Sequence, residues 1–186
     1  LIDILTPKQG MLFAKLDERL RKEGYQTFKT TRQYREAIQL LNMKGIKATI
    51  VGQHGGETLE GKLKASVERT LELTRVTEQL DPDVTISFSS PELSRVAFGL
   101  KLPHICLNDS PHAEAVARLT IPLATQLLTP KIIPKKAWTK YGIPPERITQ
   151  YKAIDAWAWL KDLKPTEKIL TQLKIDKSKP IAVFRT

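Results

Sequence analysis

A single cysteine, Cys106, stands in the whole chain, inside the apolar run His104-Ile105-Cys106-Leu107. An intrachain disulfide and a cysteine-based zinc cluster are therefore excluded, and the residue reads as a core thiol. The three histidines, His54, His104 and His112, are far apart and have no ligand-like spacing with acids, so no metal site is expected. No apolar run reaches the roughly 18 residues that cross a bilayer, and Leu1 to Thr6 is too short and too acidic for a signal-peptide core. The expectation is a soluble, cytoplasmic protein without a membrane span. Aromatic residues are few, at 6%. Trp138, Trp157 and Trp159 fall in late helical segments, where indoles pack more often than they stack on bases. The glycine fingerprint Gly-x-Gly-x-x-Gly is also missing, because the first strand-to-helix turn reads Thr6-Pro7-Lys8-Gln9-Gly10. Conventional dinucleotide binding is disfavoured on that ground, and no cofactor is expected.

Positive charge is plentiful. Thirty Lys and Arg against twenty Asp and Glu give a formal charge of +10, which favours anionic partners such as phosphates, nucleotides or nucleic acid. Most basic residues alternate with acidic neighbours along helices and read as a solvated surface. Lys131, Lys135, Lys136, Lys140, Arg147 and Lys152 form a looser basic region.

With 41% hydrophobic residues in 186, the chain can bury one core. Short β-rich runs alternate with segments of helical periodicity, the pattern of βαβ units around a parallel sheet. Strands are expected at 2–5, 26–30, 48–51, 84–88, 104–107, 126–128 and 148–151. Helices are expected at 33–43, 59–80, 111–119 and 134–141, together with one carrying Leu12, Phe13, Leu16 and Leu20 and one carrying Leu93, Val96, Ala97 and Leu100. In the longest, Leu59, Leu63, Val67, Leu71, Val76 and Leu80 form the stripe expected to face the core. The fold class is thus α/β, a Rossmann-like doubly wound parallel sheet over residues 1–178. The run Lys179-Pro180-Ile181-Ala182-Val183-Phe184-Arg185-Thr186 reads as a fresh strand, and 179–186 is expected to begin a second, truncated domain.

A hydroxyl followed by proline recurs after strands: Thr6-Pro7, Ser90-Pro91, Ser110-Pro111 and Thr129-Pro130. Each reads as a helix N-cap with proline at the first helical position. In a sheet of order 3-2-1-4-5, strands one and four meet where the winding reverses, and ligands bind outside their carboxyl ends. Thr6-Pro7 and Ser90-Pro91 would flank that crevice, where helix N-termini suit a phosphate or carboxylate. Past strand five, Asn108-Asp109-Ser110-Pro111-His112-Ala113-Glu114 gathers titratable groups. Asp109 and His112 read either as a proton-transfer pair or as a cap beside a solvated ring. Glu114 and Arg118 are spaced for an i, i+4 ion pair. His54 lies in the loop Gly52-Gln53-His54-Gly55-Gly56, whose glycines serve either a turn or close approach to a ligand.

The segments Asp3-Ile4-Leu5-Thr6-Pro7-Lys8-Gln9, Thr30-Thr31-Arg32, His54-Gly55-Gly56, Ile86-Ser87-Phe88-Ser89-Ser90-Pro91-Glu92 and Asn108 to Glu114 resemble a mainly archaeal family of unknown function, domain-of-unknown-function family 354. That family is related to GT-B glycosyltransferases. The resemblance spans essentially the whole chain and implies the N-terminal half of a GT-B-like fold whose second Rossmann-like half begins near 179–186. A more distant similarity is to UDP-N-acetylglucosamine 2-epimerases. Glu114, Arg118, Leu123, Leu127, Thr129 and Pro130 resemble the order of an element in those enzymes, and Asn108 or Asp109 falls where they place a catalytic glutamate. They carry an acid after strand four where this chain has Ser89 and Ser90, which argues against epimerase chemistry by the same residues.

The function these resemblances imply is glycosyl transfer, or related chemistry on a sugar nucleotide or other phosphorylated small molecule, with the isolated half inactive. In that reading Asp109, His112 and Glu114 are the catalytic candidates, and Lys8, Gln9, His54, Ser89, Ser90 and Arg118 contact the substrate. The alternative is a basic, non-catalytic module that binds nucleic acid or phosphate.

Overall fold

A strand covered on both faces must bury each of its side chains, whether apolar or polar and paired. The three residues of β1 (Ile2–Ile4) are all buried. Ile2 and Ile4 enter one core with Phe13 and Leu41, while Asp3 points to the opposite face, where it is paired. The computed structural model describes residues 1–164, 166, 168–176 and 178–184. After β1 come α1 (Pro7–Lys22), β2 (Lys29–Gln33), α2 (Arg35–Met43), β3 (Thr49–Gln53), α3 (Leu59–Leu80), β4 (Thr85–Ser87), α4 (Pro91–Gly99) and β5 (His104–Leu107). They are followed by α5 (Glu114–Thr120), β6 (Gln126–Pro130), α6 (Lys136–Thr139), β7 (Ile148–Tyr151), α7 (Trp157–Leu160) and α8 (Lys168–Gln172). The strands form one seven-stranded parallel sheet in the order β3-β2-β1-β4-β5-β6-β7. The α/β class and the meeting of β1 with β4 are as expected. No helix among the described residues is long and apolar enough to cross a membrane.

Several expectations are corrected. β2 starts at Lys29 rather than 26, because its buried residues are polar and carry no hydropathy signal. Lys29 Nζ reaches Asp17 at 3.0 Å, and the Thr30 hydroxyl donates to Asp3 at 2.8 Å. Thr6 and Ser90 do cap helices, with Pro7 and Pro91 at their starts. The other two hydroxyl-proline pairs do not. Ser110 sits in an Asx turn, its N–H donating to Asn108 Oδ1 at 2.8 Å, and α5 begins only at Glu114. Thr129 and Pro130 lie within β6, and the Thr129 hydroxyl is consumed by Trp138 Nε1 at 3.1 Å. The expected strand over 179–186 is not formed across 179–184; Arg185 and Thr186 lie outside the described residues. Trp138 is buried, as a packing indole should be, whereas Trp157 is exposed.

The largest correction concerns α3, whose limits agree with the expectation and whose rotation does not. Leu59, Leu63, Val67 and Leu71 of the expected stripe face outward, from 86% to 57% exposed, while Val76 and Leu80 pack against the core and the buried face carries Ala65, Arg69, Leu73 and Thr77. Arg69 sets this phase, because its guanidinium binds the buried Asp3. The helix also lies close to β3: a Cβ on Gly52 would stand 2.7 Å from the Arg69 side chain. Gly52 further has φ +69, a left-handed conformation that favours glycine.

His104 opens β5 wholly buried. Its Nδ1 lies 2.8 Å from Thr85 Oγ1, and its Nε2 lies 3.2 Å from Ser87 Oγ and 3.1 Å from Ser94 Oγ. One ring thereby joins β4, α4 and β5. Burial holds its pKa down to about 4 from the ordinary 6.5. The unfolded chain takes up this proton first as pH falls, so the native-state advantage is complete above 6.5 and is lost on descending to about 4. A depression of this size corresponds to about 3 kcal/mol. Urea unfolding of the unmodified chain and His104→Gln across that window should show this increment only in the former; parallel profiles would assign the acid sensitivity to other groups.

Candidate functional site

Where β1 and β4 lie side by side their following helices depart to opposite faces, and a crevice opens at the carboxyl edge. Gln9 bridges the two strand ends. Its Oε1 accepts from Leu5 N–H at 2.6 Å, and its Nε2 donates to the Phe88 carbonyl at 3.1 Å. Both ends of this amide are thus spent inside the protein, which makes Gln9 a scaffold for the crevice. Ser89 adopts φ +54, a left-handed conformation costly for a non-glycine residue. Its hydroxyl donates to the Leu107 carbonyl at 3.0 Å, tying the β4 turn to the end of β5. Ser90 caps α4 through a 3.2 Å bond accepted from Leu93 N–H. Beneath the crevice, Arg69 binds Asp3 through two nitrogens at 2.6 and 3.1 Å and Glu92 at 3.4 Å, and its Nε donates to the Val51 carbonyl at 2.9 Å.

Above that floor sits the group with the most chemical content. Lys8, in the first turn of α1, forms ion pairs with Asp109 after β5 and with Asp155 after β7, the second at 2.9 Å. The Asp155 contact is ionic rather than a directed hydrogen bond, since its Oδ2 lacks a hydrogen-bonding donor among the described residues. Asp155 Oδ1 accepts instead from the Tyr151 hydroxyl. The Lys8 ammonium also stands 4.6 Å from the centre of the Phe88 ring. Burial alone would lower the Lys8 pKa, but its hydrogen bond to Asp109 and the negative charges of Asp109 and Asp155 outweigh it and hold the pKa above its ordinary value. Burial would raise Asp109; hydrogen bonds from Lys8 and Ser110 prevail and hold it below the usual carboxylate range. Burial, and then the bond to Asp155, push the Tyr151 phenol upward. Asp109 is the more accessible carboxylate, with 28% of its side chain exposed against 3% for Asp155.

Asp109, Lys8, Gln9, Ser89 and Ser90 therefore gather at one edge. His112 is exposed, and no hydrogen bond or ion pair joins it to Asp109 among the described residues. Glu114 and Arg118 pair with each other at 2.7 Å on open surface, their side chains 62% and 67% exposed. His54 is exposed at the end of β3, stacked on Tyr34. Sequence reasoning missed Asp155 and Tyr151. The available signal was positional: Asp155 follows β7 as Asp109 follows β5, an acid just past a strand end in each case. A concavity of about 960 Å³ lies elsewhere, between α1, residues 44–47 and α7, lined by Met11, Lys29, Lys47 and Trp159. It opens toward the amino ends of β2 and β3 rather than the switch point.

A doubly wound parallel sheet with a polar cluster at its switch point is a Rossmann-like architecture. The chain belongs to DUF354, a protein family of unknown function, whose model matches residues 1–185. It is 33% identical over 141 residues to uncharacterized protein MJ0665 of Methanocaldococcus jannaschii, an alignment covering 76% of this chain and 41% of that protein. In fold it is similar to UDP-GlcNAc 2-epimerase from Neisseria meningitidis, solved bound to UDP-GlcNAc, with TM-score 0.68 and 21% identity over 94% of this chain and 50% of that one. It is also similar to MurG from Acinetobacter baumannii, with TM-score 0.58 and 16% identity over 72% of this chain and 42% of that one. The chain spans about half the length of the proteins it matches.

The different burial of the two carboxylates separates their contributions to stability. Asp155→Ala leaves Lys8 and the Tyr151 hydroxyl without a buried partner and should cost about 1–3 kcal/mol in chemical unfolding. Asp109→Ala, which removes a half-exposed ion pair, should cost about 1 kcal/mol or less. The reverse ranking would show that Asp109 chiefly holds the fold.

Proposed function

We propose that this chain is the N-terminal half of a GT-B-type enzyme acting on a sugar nucleotide, and that it holds the sugar or the acceptor at the carboxyl edge of β1, β4 and β5. The observation that carries the reading is the cluster of Lys8, Asp109 and Asp155. Two carboxylates share one ammonium, so the cluster has an excess of acceptors, and Asp109 is the accessible one. A carboxylate held below its usual pKa is a weak base toward water. It is a good acceptor for sugar hydroxyls and a stabiliser of positive charge that develops at a sugar carbon. We accordingly assign Asp109 the role of orienting carboxylate and Lys8 that of holding it in place. Ser89 and Ser90 shape the wall, and the facing half supplies most of the nucleotide contacts. Support for the substrate class comes from the fold shared with a protein solved with UDP-GlcNAc.

The test belongs in the protein of full family length. Asp109→Asn should lower turnover of the UDP-sugar substrate by roughly a hundredfold or more, the scale of a positioned catalytic group, with the melting temperature changed by only a few degrees. Full activity together with a large loss of stability would reassign Asp109 to the scaffold.

A further inference from the structure

Arg32 is the fourth residue of β2, one step beyond Thr31, which pairs with Ile4 at the end of β1. It therefore stands on the carboxyl rim beside the switch point. Strand alternation puts its side chain on the same face as Thr30, whose hydroxyl donates to Asp3, so it leans over the network of Asp3, Arg69 and Glu92. Both of those carboxylates are bonded to Arg69. Among the described residues Arg32 has no hydrogen-bond or ion-pair partner, and its Nε is buried without an acceptor. Burial and the neighbouring Arg69 charge disfavour this cation, and the Glu92 and Asp3 charges only partly offset them. A guanidinium presents five donors in a fixed fork matched to an oxyanion, and leaving a buried donor unmet is costly.

The surroundings are ordered around it. The guanidinium carbon lies 5.7 Å from the centre of the Tyr34 ring, and Tyr34 stacks on His54 at 5.3 Å and 25°. The His54 N–H donates to the Gln33 carbonyl at 3.2 Å, which fixes its loop to β2. His54 Nδ1 accepts from Gly56 N–H at 3.2 Å, so the neutral ring carries its proton on Nε2 as a further donor. Gly55 presses against α3, where a Cβ would stand 2.5 Å from Lys62 Cα. The glycines of this loop thus hold His54 in position. Lys8 is no competitor for an anion, because two carboxylates already surround it.

We propose that Arg32 and His54, with Tyr34 as backing, form an oxyanion subsite that takes a phosphate or carboxylate group of a small-molecule ligand. The inference deepens the proposed function and rests on the reading that ligand meets the carboxyl edge: hydroxyls go to the Lys8 cluster, and a negative group goes to Arg32. The chain, isotopically labelled, is titrated separately with inorganic phosphate and with acetate while the Arg32 Nε–H and His54 ring resonances are followed by NMR. A saturable shift of both signals with at least one anion is expected, and the anion that saturates identifies the group. Arg32→Gln should weaken the binding seen at His54 by roughly tenfold or more. Arg32→Lys, which keeps the charge and loses the fork, should weaken it less; it also decides the matter should the glutamine variant fail to fold. Linear, non-saturating shifts with both anions, or saturation unchanged in Arg32→Lys and Arg32→Gln, would overturn the subsite. Saturation at Arg32 in a protein of full family length that fails to bind UDP-sugar at the Lys8 cluster would instead remove the sugar-nucleotide reading and leave the subsite standing.

Discussion

The buried charges of Asp3, Arg69 and Glu92 hold this sheet and its helices in register. Asp3 is the middle residue of β1, at the centre of the sheet, and Arg69 reaches it from α3, the long crossover that carries the chain from one edge strand back to the other side of β1. The same guanidinium takes the Val51 carbonyl on β3 and the Glu92 carboxylate on α4. Removing one member would strand the others without water, a loss of roughly 3–5 kcal/mol, whereas an apolar replacement of the whole set could leave stability unchanged. What the network supplies is therefore position. It fixes the rotation of α3, turns Leu59, Leu63, Val67 and Leu71 outward, and sets the start of α4 beside the end of β1.

From that floor the charges at the carboxyl edge fall into a division of labour. Each network carboxylate is used by Arg69, so Arg32 above them is left with donors and no acceptor. On the other side of the switch point the balance is opposite, since Lys8 is shared by Asp109 and Asp155 and the cluster has acceptors to offer. A ligand with hydroxyls at one end and a negative group at the other matches both halves of the edge. The scaffold between them is neutral: Gln9 sews the Leu5 and Phe88 turns together, and Ser89 spans to the Leu107 carbonyl.

The alternation of strands and helices, the limits of α3, and the switch point between β1 and β4 were all legible in the sequence, because apolar periodicity and proline punctuation are local signals. The second strand was read at 26–30, but its true limits at Lys29–Gln33 were not legible, since the burial of Lys29 and Thr30 depends on Asp17 and Asp3, distant in the chain. The stripe on α3 misled for the same reason: amphipathicity reports which face is apolar, and here a single long-range ion pair outweighed it. At the site, Asp109 and Lys8 were each picked out from their place after a strand, but their contact spans a separation of 101 residues and needed the fold. Ser110-Pro111 and Thr129-Pro130 had the composition of caps without being caps, because the Asx turn at Asn108 and the indole of Trp138 claimed their polar groups.

The most direct measurement of where ligand meets this edge is an amide chemical-shift map of the labelled protein of full family length during titration with UDP-GlcNAc. Perturbations should concentrate at the three turns of the carboxyl edge, Leu5 to Gln9, Phe88 to Pro91 and Asn108 to Ser110, and extend to Arg32. Perturbations confined to Lys131, Lys135, Lys136, Lys140, Arg147 and Lys152, or absent at saturating ligand, would contradict a sugar-nucleotide site at the switch point.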